Sequence, residues 1–535
     1  MTRSKNQTKK TKTLGLFDIV MAGLSGAIGF EIFVLLDYAY FHLAGPDMLI
    51  ALALGGAINF LIMLSYCELA AAMPKVGGEY TYIKTAYGGY VSFISGCFRW
   101  LASIFAAALA AVAFVLQLSY LFSAVSPQIQ TSILDQAWII SIVLVVAMGI
   151  LEVRGVRKIG SIAVIAFILL FAGFIIGGFI EGVGSVDLSA ATLPSGVSGI
   201  FAAAVYVFPM FIGTRAIIAG VSDSKRPEKD IPRGLLLSAL IIIPIYMLLA
   251  FVAVGTVTPE GILQKVPLLS FAAGRVFGGY GSLIFSIAGM TACLSALGTS
   301  LSVQSGISRG MSRDGYFPKI LLSIHSRYGT YHVAAIVGIA FIMVLSTLGA
   351  VPFLGYAASF GSLLVFALVN LSLMRLRKTK PYMDRPFKTP LYPFTPALGV
   401  ILSMSLLVIP VIIGDGNAVD ALTSSIGLAG IVLVSYYLRM AGRYRAQIAL
   451  GGIGIGVGIS IAIFSILSIA GSAINILPFV PSYIQLLFSA IFIATGYFNF
   501  NAGAKKKTTT QTDEEQQQSS EKLRDRLIKR LKLAV

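Results

Sequence analysis

The sequence predicts an all-α polytopic membrane protein with about fourteen transmembrane helices. Of its 535 residues, 57% are hydrophobic and only 12% charged; that length would otherwise suggest three or four soluble domains, but the punctuation between apolar runs is too short and the runs are too regular. Apolar runs of roughly 18 to 25 residues recur from Leu14 to Phe500, each long enough to cross a hydrocarbon core as a helix. The basic residues are segregated as well. If the N-terminus is cytoplasmic, 36 of the 40 Lys and Arg fall on the cytoplasmic side, the exceptions being Lys265 and Arg275 outside and Arg99 and Arg215 within spans.

Taken in order, residues 1–13 form a basic cytoplasmic segment without a small-residue cleavage site, so the first span is expected to stay in the mature protein. Residues 14–380 hold spans 1 to 10, residues 381–503 hold spans 11 to 14, and residues 504–535 form a cytoplasmic tail. In the tail, Leu523, Leu527, Ile528 and Leu531 share one helical face opposite Arg and Lys, which suggests a short helix lying on the inner leaflet. The net charge of +17 is accounted for by basic loops facing anionic lipid and does not call for a nucleic acid. The location that follows is the plasma membrane, with both termini cytoplasmic. Cys67, Cys97 and Cys293 all lie in spans and read as small core residues rather than a disulfide framework.

Five ionisable residues interrupt this apolar pattern: Glu31, Asp37, Glu68, Arg99 and Arg215, within or at the edge of predicted spans. A charge at the centre of a membrane helix costs roughly 2.5 to 3.5 kcal/mol on insertion scales, so such residues face a partner or an aqueous cavity. Glu68 sits at the end of its span, where anchoring a loop is the expected role. Arg99 either faces the cavity or pairs with Glu68 or Asp37.

The first span reads AGLSGAIGFEIF, with Gly23, Gly26 and Gly29 at three-residue spacing before Phe30 and Glu31. Glycine weakens the helix and exposes backbone, so a discontinuous helix is expected here, its freed N–H and C=O groups available to a ligand. The sixth span, VYVFPMFIGTRAI, carries the same signal, because Pro209 removes a donor and Gly213 precedes Thr214 and Arg215. Each interruption opens a five-span unit, as in transporters built from inverted repeats. The run GGIGIGVG at 451–458 lies in an apolar span rather than a strand–turn–helix unit, so glycine-mediated helix packing is expected instead of a nucleotide site.

Four stretches, each at a span edge, carry a family resemblance: GAIGFEIF followed by LAGPDM, SYCELAAAMPKVGGEYTYIKTAYG, DSKRPEKDIPRG and SRGMSRDGYFPKIL. Over roughly residues 14 to 440 the chain resembles the amino acid-polyamine-organocation (APC) superfamily of permeases. The resemblance implies a five-plus-five inverted-repeat transporter core with broken helices 1 and 6. It also implies a substrate bound between the two breaks, its carboxylate on amides of the first and its ammonium on carbonyls of the sixth. Carried onto this chain, that site comprises Gly26, Ala27, Ile28, Gly29, Phe30 and Glu31 with Phe208, Phe211, Gly213, Thr214 and Arg215.

The chain departs from the family at Phe30-Glu31, where a small Ser-Gly pair is usual, and at Thr214-Arg215. A carboxylate at Glu31 would repel a substrate carboxylate on the neighbouring amides. Glu31 and Arg215 are therefore expected to face each other across the site, as an ion pair or as separate counter-charges for a zwitterion. Phe30, Tyr206, Phe208 and Phe211 either line the pocket or pack in the core. The expected coupling ion is a proton taken by Glu31, with sodium on hydroxyls of the eighth span, Ser295 and Thr299 among them, as the alternative.

The function so implied is secondary active transport of amino acids or related organic amines by alternating access. The alternative is a transport-inactive amino acid sensor that signals through its cytoplasmic segments. No enzyme is expected, since His42, His325 and His332 lie in or near loops, with no metal-ligand cluster and no nucleophile–base pair. No cofactor is expected, and without a GxxxxGK[ST] loop an ATP-driven pump is disfavoured.

Overall fold

The computed structural model describes residues 14–74, 78–123, 126–155, 161–181, 196–215, 217–218, 224–256, 267–426 and 445–469, with scattered positions between 486 and 501. The basic segment 1–13 and the proposed helix of the tail lie outside the described residues. Among the described residues every named element is helical. Among the described residues, seven stretches are long and apolar enough to cross a membrane, or eight if the helix pair bent by 68° at Gln136 is one span. One of the seven, Leu16–Ala72, covers the first two predicted spans, and shorter apolar helices accompany them. The chain is thus a multi-pass membrane protein. It divides into two compact units, Met1–Ser425 and Ile426–Val535.

In the first unit, helix α1 (Leu16–Ala27) stops at Ile28, whose φ −69°, ψ 80° leaves the helical region, and α2 (Glu31–Tyr38) resumes three residues later. The predicted break therefore falls on Ile28-Gly29-Phe30. Next come α3 (Met48–Ala72), the short α4 (Gly78–Tyr87) and the long α5 (Gly89–Ser123). Helices α6 (Pro127–Asp135), α7 (Ala137–Val153) and α8 (Ser161–Ile180) lead to α9 (Gly196–Val207) and α10 (Pro209–Ile212). A turn at Phe208 separates the last two, because Pro209 has no N–H to continue the ladder, and a 3-10 turn over 213–215 follows α10. At the second predicted break the chain keeps helical dihedrals at Phe208 and Gly213, so the interruption there is the missing ladder bond and the 3-10 turn.

Helix α11 (Pro227–Thr256) begins as helix N-termini prefer, with Pro227 first and Glu228 and Asp230 in the opening turn. The unit continues through α12 (Leu268–Phe277), α13 (Gly279–Arg313), α14 (His332–Ser346), α15 (Val351–Thr379), α16 (Phe394–Ile413) and a helical stretch at 416–425. Helix α5 packs against α13 and α15, α3 against α11 and α9, and α1 against α11, while α10 touches α1, α2, α3, α11 and α15. The two interruptions meet directly: a Cβ at Gly213 would collide with the Gly26 carbonyl. Only glycine allows that approach.

In the second unit, α17 (Arg445–Ile469) lies against described residues of 489–500 through its glycines. A Cβ at Gly451 would stand 2.7 Å from the Gly496 oxygen, and one at Gly458 2.9 Å from the Ser489 oxygen. The run GGIGIGVG is therefore a packing surface, as its apolar setting indicated.

Candidate functional site

A cavity of about 600 Å³ lies inside the first unit, bounded by both interruptions. Gly26, Ile28, Gly29 and Glu31 contribute from α1 and α2, and Gly213 and Arg215 from the segment after α10. Helix α13 adds a polar wall that includes Ser295, Thr299 and Ser302. From there the cavity extends to Glu152, Arg309, Thr330 and Tyr331, where α7 and α13 end and α14 begins.

The other side of the interruptions is closed by side chains that do not line the cavity. Asp37 accepts a 2.7 Å hydrogen bond from the Leu268 amide, Asn417 donates to the Tyr38 hydroxyl at 3.1 Å, and Tyr356 donates to Asp415 at 2.9 Å. Tyr206 packs between Tyr38 and Tyr356, with ring centroids 5.0 and 5.2 Å away. Five separate segments are joined there, so the seal is aromatic and hydrogen-bonded at once.

The charges arrange themselves differently from the simplest expectation. Arg215 pairs through Nη1 with Glu79 of α4, not with Glu31. Its Nε donates to the Ile212 carbonyl at 3.1 Å and its guanidinium lies 4.1 Å from the Phe366 ring centroid. Arg99 reaches the other Glu79 oxygen at 3.2 Å, rather than Glu68 or Asp37, and the Tyr66 hydroxyl donates to Glu79 at 3.0 Å. A direct Glu31–Arg215 ion pair is thus ruled out in this conformation, because the nearer carboxylate has taken the guanidinium. Helix α4 lies outside the membrane-spanning stretches. Burial there acts to raise Glu79, but the guanidiniums of Arg215 and Arg99, with the hydrogen bonds, outweigh it and hold the carboxyl below the usual carboxylate range.

Glu31 begins α2, and its carboxylate folds back over Gly29, where a Cβ would meet it. Among the described residues it makes neither an ion pair nor a hydrogen bond to another residue's side chain. Glu68 is fully buried and accepts from Arg377 at 2.6 and 2.8 Å and from the Thr389 amide at 2.7 Å, with Arg385 at 3.3 Å. It anchors the 381–393 connection, the role its place at a span end suggested. Glu152, 7% exposed, accepts from Ser302 at 2.7 Å and links α7 to α13.

The family model for amino acid permeases matches residues 14–426. The chain belongs to the amino acid permease family, within the APC superfamily. The matched residues span essentially the first compact unit of this permease. It is 26% identical over 416 residues to the branched-chain amino acid permease BcaP of Bacillus subtilis, covering 74% of this chain and 87% of that protein. It is 25% identical over 411 residues to the methylthioribose transporter of the same organism, covering 72% and 86%. Cationic amino acid transporter 9, chloroplastic, of Arabidopsis thaliana is 26% identical over 344 residues, 60% of this chain and 59% of that one.

Of the residues singled out in the sequence, Gly26, Ile28, Gly29, Glu31, Gly213, Arg215, Ser295 and Thr299 share the cavity wall of this permease. Ala27, Phe30, Phe208, Phe211 and Thr214 are buried beside it. The Ala27 carbonyl accepts from the Tyr246 hydroxyl, Phe208 packs on Phe366, Phe211 on Tyr246, and Thr214 donates back to the Phe211 carbonyl at 3.2 Å. Glu79 is the residue that sequence reasoning passed over. It lies in a polar stretch between spans, and the signal available was a carboxylate in VGGEYTYIK within reach of two unpaired span arginines.

Proposed function

We propose that this permease is a secondary active transporter of amino acids or related organic amines in the plasma membrane, working by alternating access around the cavity between Gly26–Glu31 and Gly213–Arg215. The observation that carries the proposal is the cavity bounded by two interrupted, mutually packed helices. Unwound segments at membrane depth can present backbone groups to a ligand only where they line such a cavity. The relatives support the substrate class, since two are named for amino acid transport.

In this reading the chain has about fourteen spans, with spans 1 to 10 forming two inverted five-helix repeats and the rest accessory. The basic loops place both termini in the cytoplasm, so the cavity is the inward-facing half of the pathway and the Tyr38–Tyr206–Tyr356 cluster is the closed outer half. Substrate entry from outside then requires the Asp37, Asn417 and Asp415 hydrogen bonds to part while the inner cavity narrows. Glu31, a carboxylate without a counter-charge beside unwound backbone, is the proposed proton carrier. The hydroxyls of Ser295 and Thr299 are the sodium alternative.

Purified protein in proteoliposomes tests the proposal. Saturable uptake of labelled amino acids, driven by a proton gradient and lost in Glu31→Gln, is the expected result. Ligand-induced stabilisation without uptake would establish the sensor alternative. Uptake driven by sodium and indifferent to Glu31→Gln would move coupling to the α13 hydroxyls.

A further inference from the structure

The charged groups on the cavity wall are not equally occupied. Arg215 is withdrawn: its side chain is 4% exposed, Nη1 is on Glu79, Nε is on the Ile212 carbonyl, and Nη2 is buried without a partner. A soluble ligand cannot reach it without dismantling the Glu79 contact. Arg99 is different. It engages Glu79 through Nε, its side chain is 23% exposed, and it lines the cavity. Its terminal nitrogens have no partner among the described residues. Two guanidiniums share one carboxylate, so the Arg99–Glu79–Arg215 cluster keeps an excess positive charge whose accessible face is Arg99. On the same cavity wall, Glu31 is a carboxylate with no counter-charge among the described residues.

We infer that Arg99 receives the carboxylate of the transported molecule and Glu31 its ammonium, while Glu79 is a positioning residue that aims Arg99 and Arg215 is its structural counterweight. This rests on the transport reading above and narrows it: the substrate is a zwitterionic α-amino acid rather than an amine lacking a carboxylate. A planar guanidinium offers a carboxylate two parallel donors, and an ammonium satisfies the Glu31 charge that the protein leaves open. Arg99 discriminates an amino acid from its amide and Glu31 discriminates it from its desamino acid; only the pair does both. Glu79 retains Arg215 and Tyr66 when Arg99 is altered, so the scaffold survives the test.

The test uses the full chain in proteoliposomes, with an equimolar mixture of the twenty radiolabelled common amino acids as probe. The competitors are the matching mixtures of α-amides, which lack the carboxylate, and of desamino acids, which lack the ammonium. The wild type is expected to prefer acids over amides. Arg99→Gln should weaken that preference by about ten- to a hundredfold, the worth of one hydrogen bond to a charged group, and leave the preference over desamino acids intact. Glu31→Gln, which is expected to lose uptake, is read instead by competition for equilibrium binding of the labelled mixture to the purified protein, and should do the reverse. Should Arg99→Gln fail to yield monodisperse protein, Arg99→Lys, which keeps the charge and loses the fork, should still lower the acid-over-amide preference. An unchanged preference in whichever variant is measured overturns the inference, as does a wild type that takes up amides as well as acids. Absence of all saturable uptake would instead sink the transport reading.

Discussion

Arg215 Nη1 donates to the Glu79 carboxylate across 136 positions of the chain, joining the end of the second interrupted span to α4. The same carboxylate holds Arg99 of α5 and the Tyr66 hydroxyl of α3. One acidic residue thus ties four elements beside the cavity.

Neutralising it leaves a buried guanidinium without its counter-charge. Glu79→Gln is expected to destabilise the protein by about 3–5 kcal/mol, the usual cost of removing one partner of a buried pair. Thermal melting in detergent measures this. The double variant Glu79→Gln/Arg215→Met should recover part of the loss, since it removes the orphaned charge as well.

Acid should have the same effect by titration. The folded protein holds Glu79 below the ordinary carboxylate value of about 4.3, so folding favours its ionised form. That contribution is complete above the unfolded value and is lost as pH falls through the lower folded value. Melting temperature should therefore drop as pH falls below about 4.3, and the part due to this carboxylate should be missing from Glu79→Gln. A Glu79→Gln profile that follows the wild type throughout would show the carboxylate to be uncoupled.

The contact of the two interruptions depends on Gly213. Gly213→Ala forces a methyl group into the Gly26 backbone, and overpacking of this kind costs about 1–3 kcal/mol. Uptake should be lost and the melting temperature lowered. Gly173→Ala in α8, where a Cβ meets nothing within 4 Å, should leave both unchanged.

Glu68 is fully buried against Arg377, Arg385 and the Thr389 amide. Glu68→Ala should cost about 3–5 kcal/mol and free the 381–393 connection. Limited proteolysis should then cut within 381–393 sooner than in the wild type, with no change in which amino acids compete for uptake.

At the closed side, Tyr356→Phe removes the hydroxyl that donates to Asp415. Loss of a hydrogen bond to a charged group is worth about 1.5–3 kcal/mol, so the outer seal should open more often. Labelling of Tyr206→Cys by a membrane-impermeant thiol reagent added outside should be faster in the Tyr356→Phe background. An equal rate in both backgrounds would show that this bond does not hold the seal.

The breaks were legible because their causes are local. Glycines at 23, 26 and 29 and the Pro209–Gly213 pair weaken a helix wherever they occur, and both interruptions fall there. Family membership was legible in four short stretches at span edges. The partner of Arg215 was not, because an ion pair is decided by tertiary approach. Glu79 stands closer than Glu31 only once α4 has folded against α5 and the end of α10. The facing of Phe208 and Phe211 was hidden for a related reason: a broken helix has no single phase, so spacing alone cannot say which aromatic meets the cavity. Glu68 was easier, since a charge at a span end needs an anchor whichever way the helix turns.

The most direct measurement is substrate protection at Thr299, an exposed residue of the cavity wall facing neither packed helix core nor the outer seal. The native cysteines, Cys67, Cys97 and Cys293, are buried and should stay silent. In proteoliposomes carrying Thr299→Cys, a thiol reagent delivered to the side on which the cavity opens should abolish amino acid uptake, and saturating amino acid should slow the reaction. Modification that leaves uptake intact, or that proceeds at the same rate with and without amino acid, would place transport somewhere other than between the two broken helices.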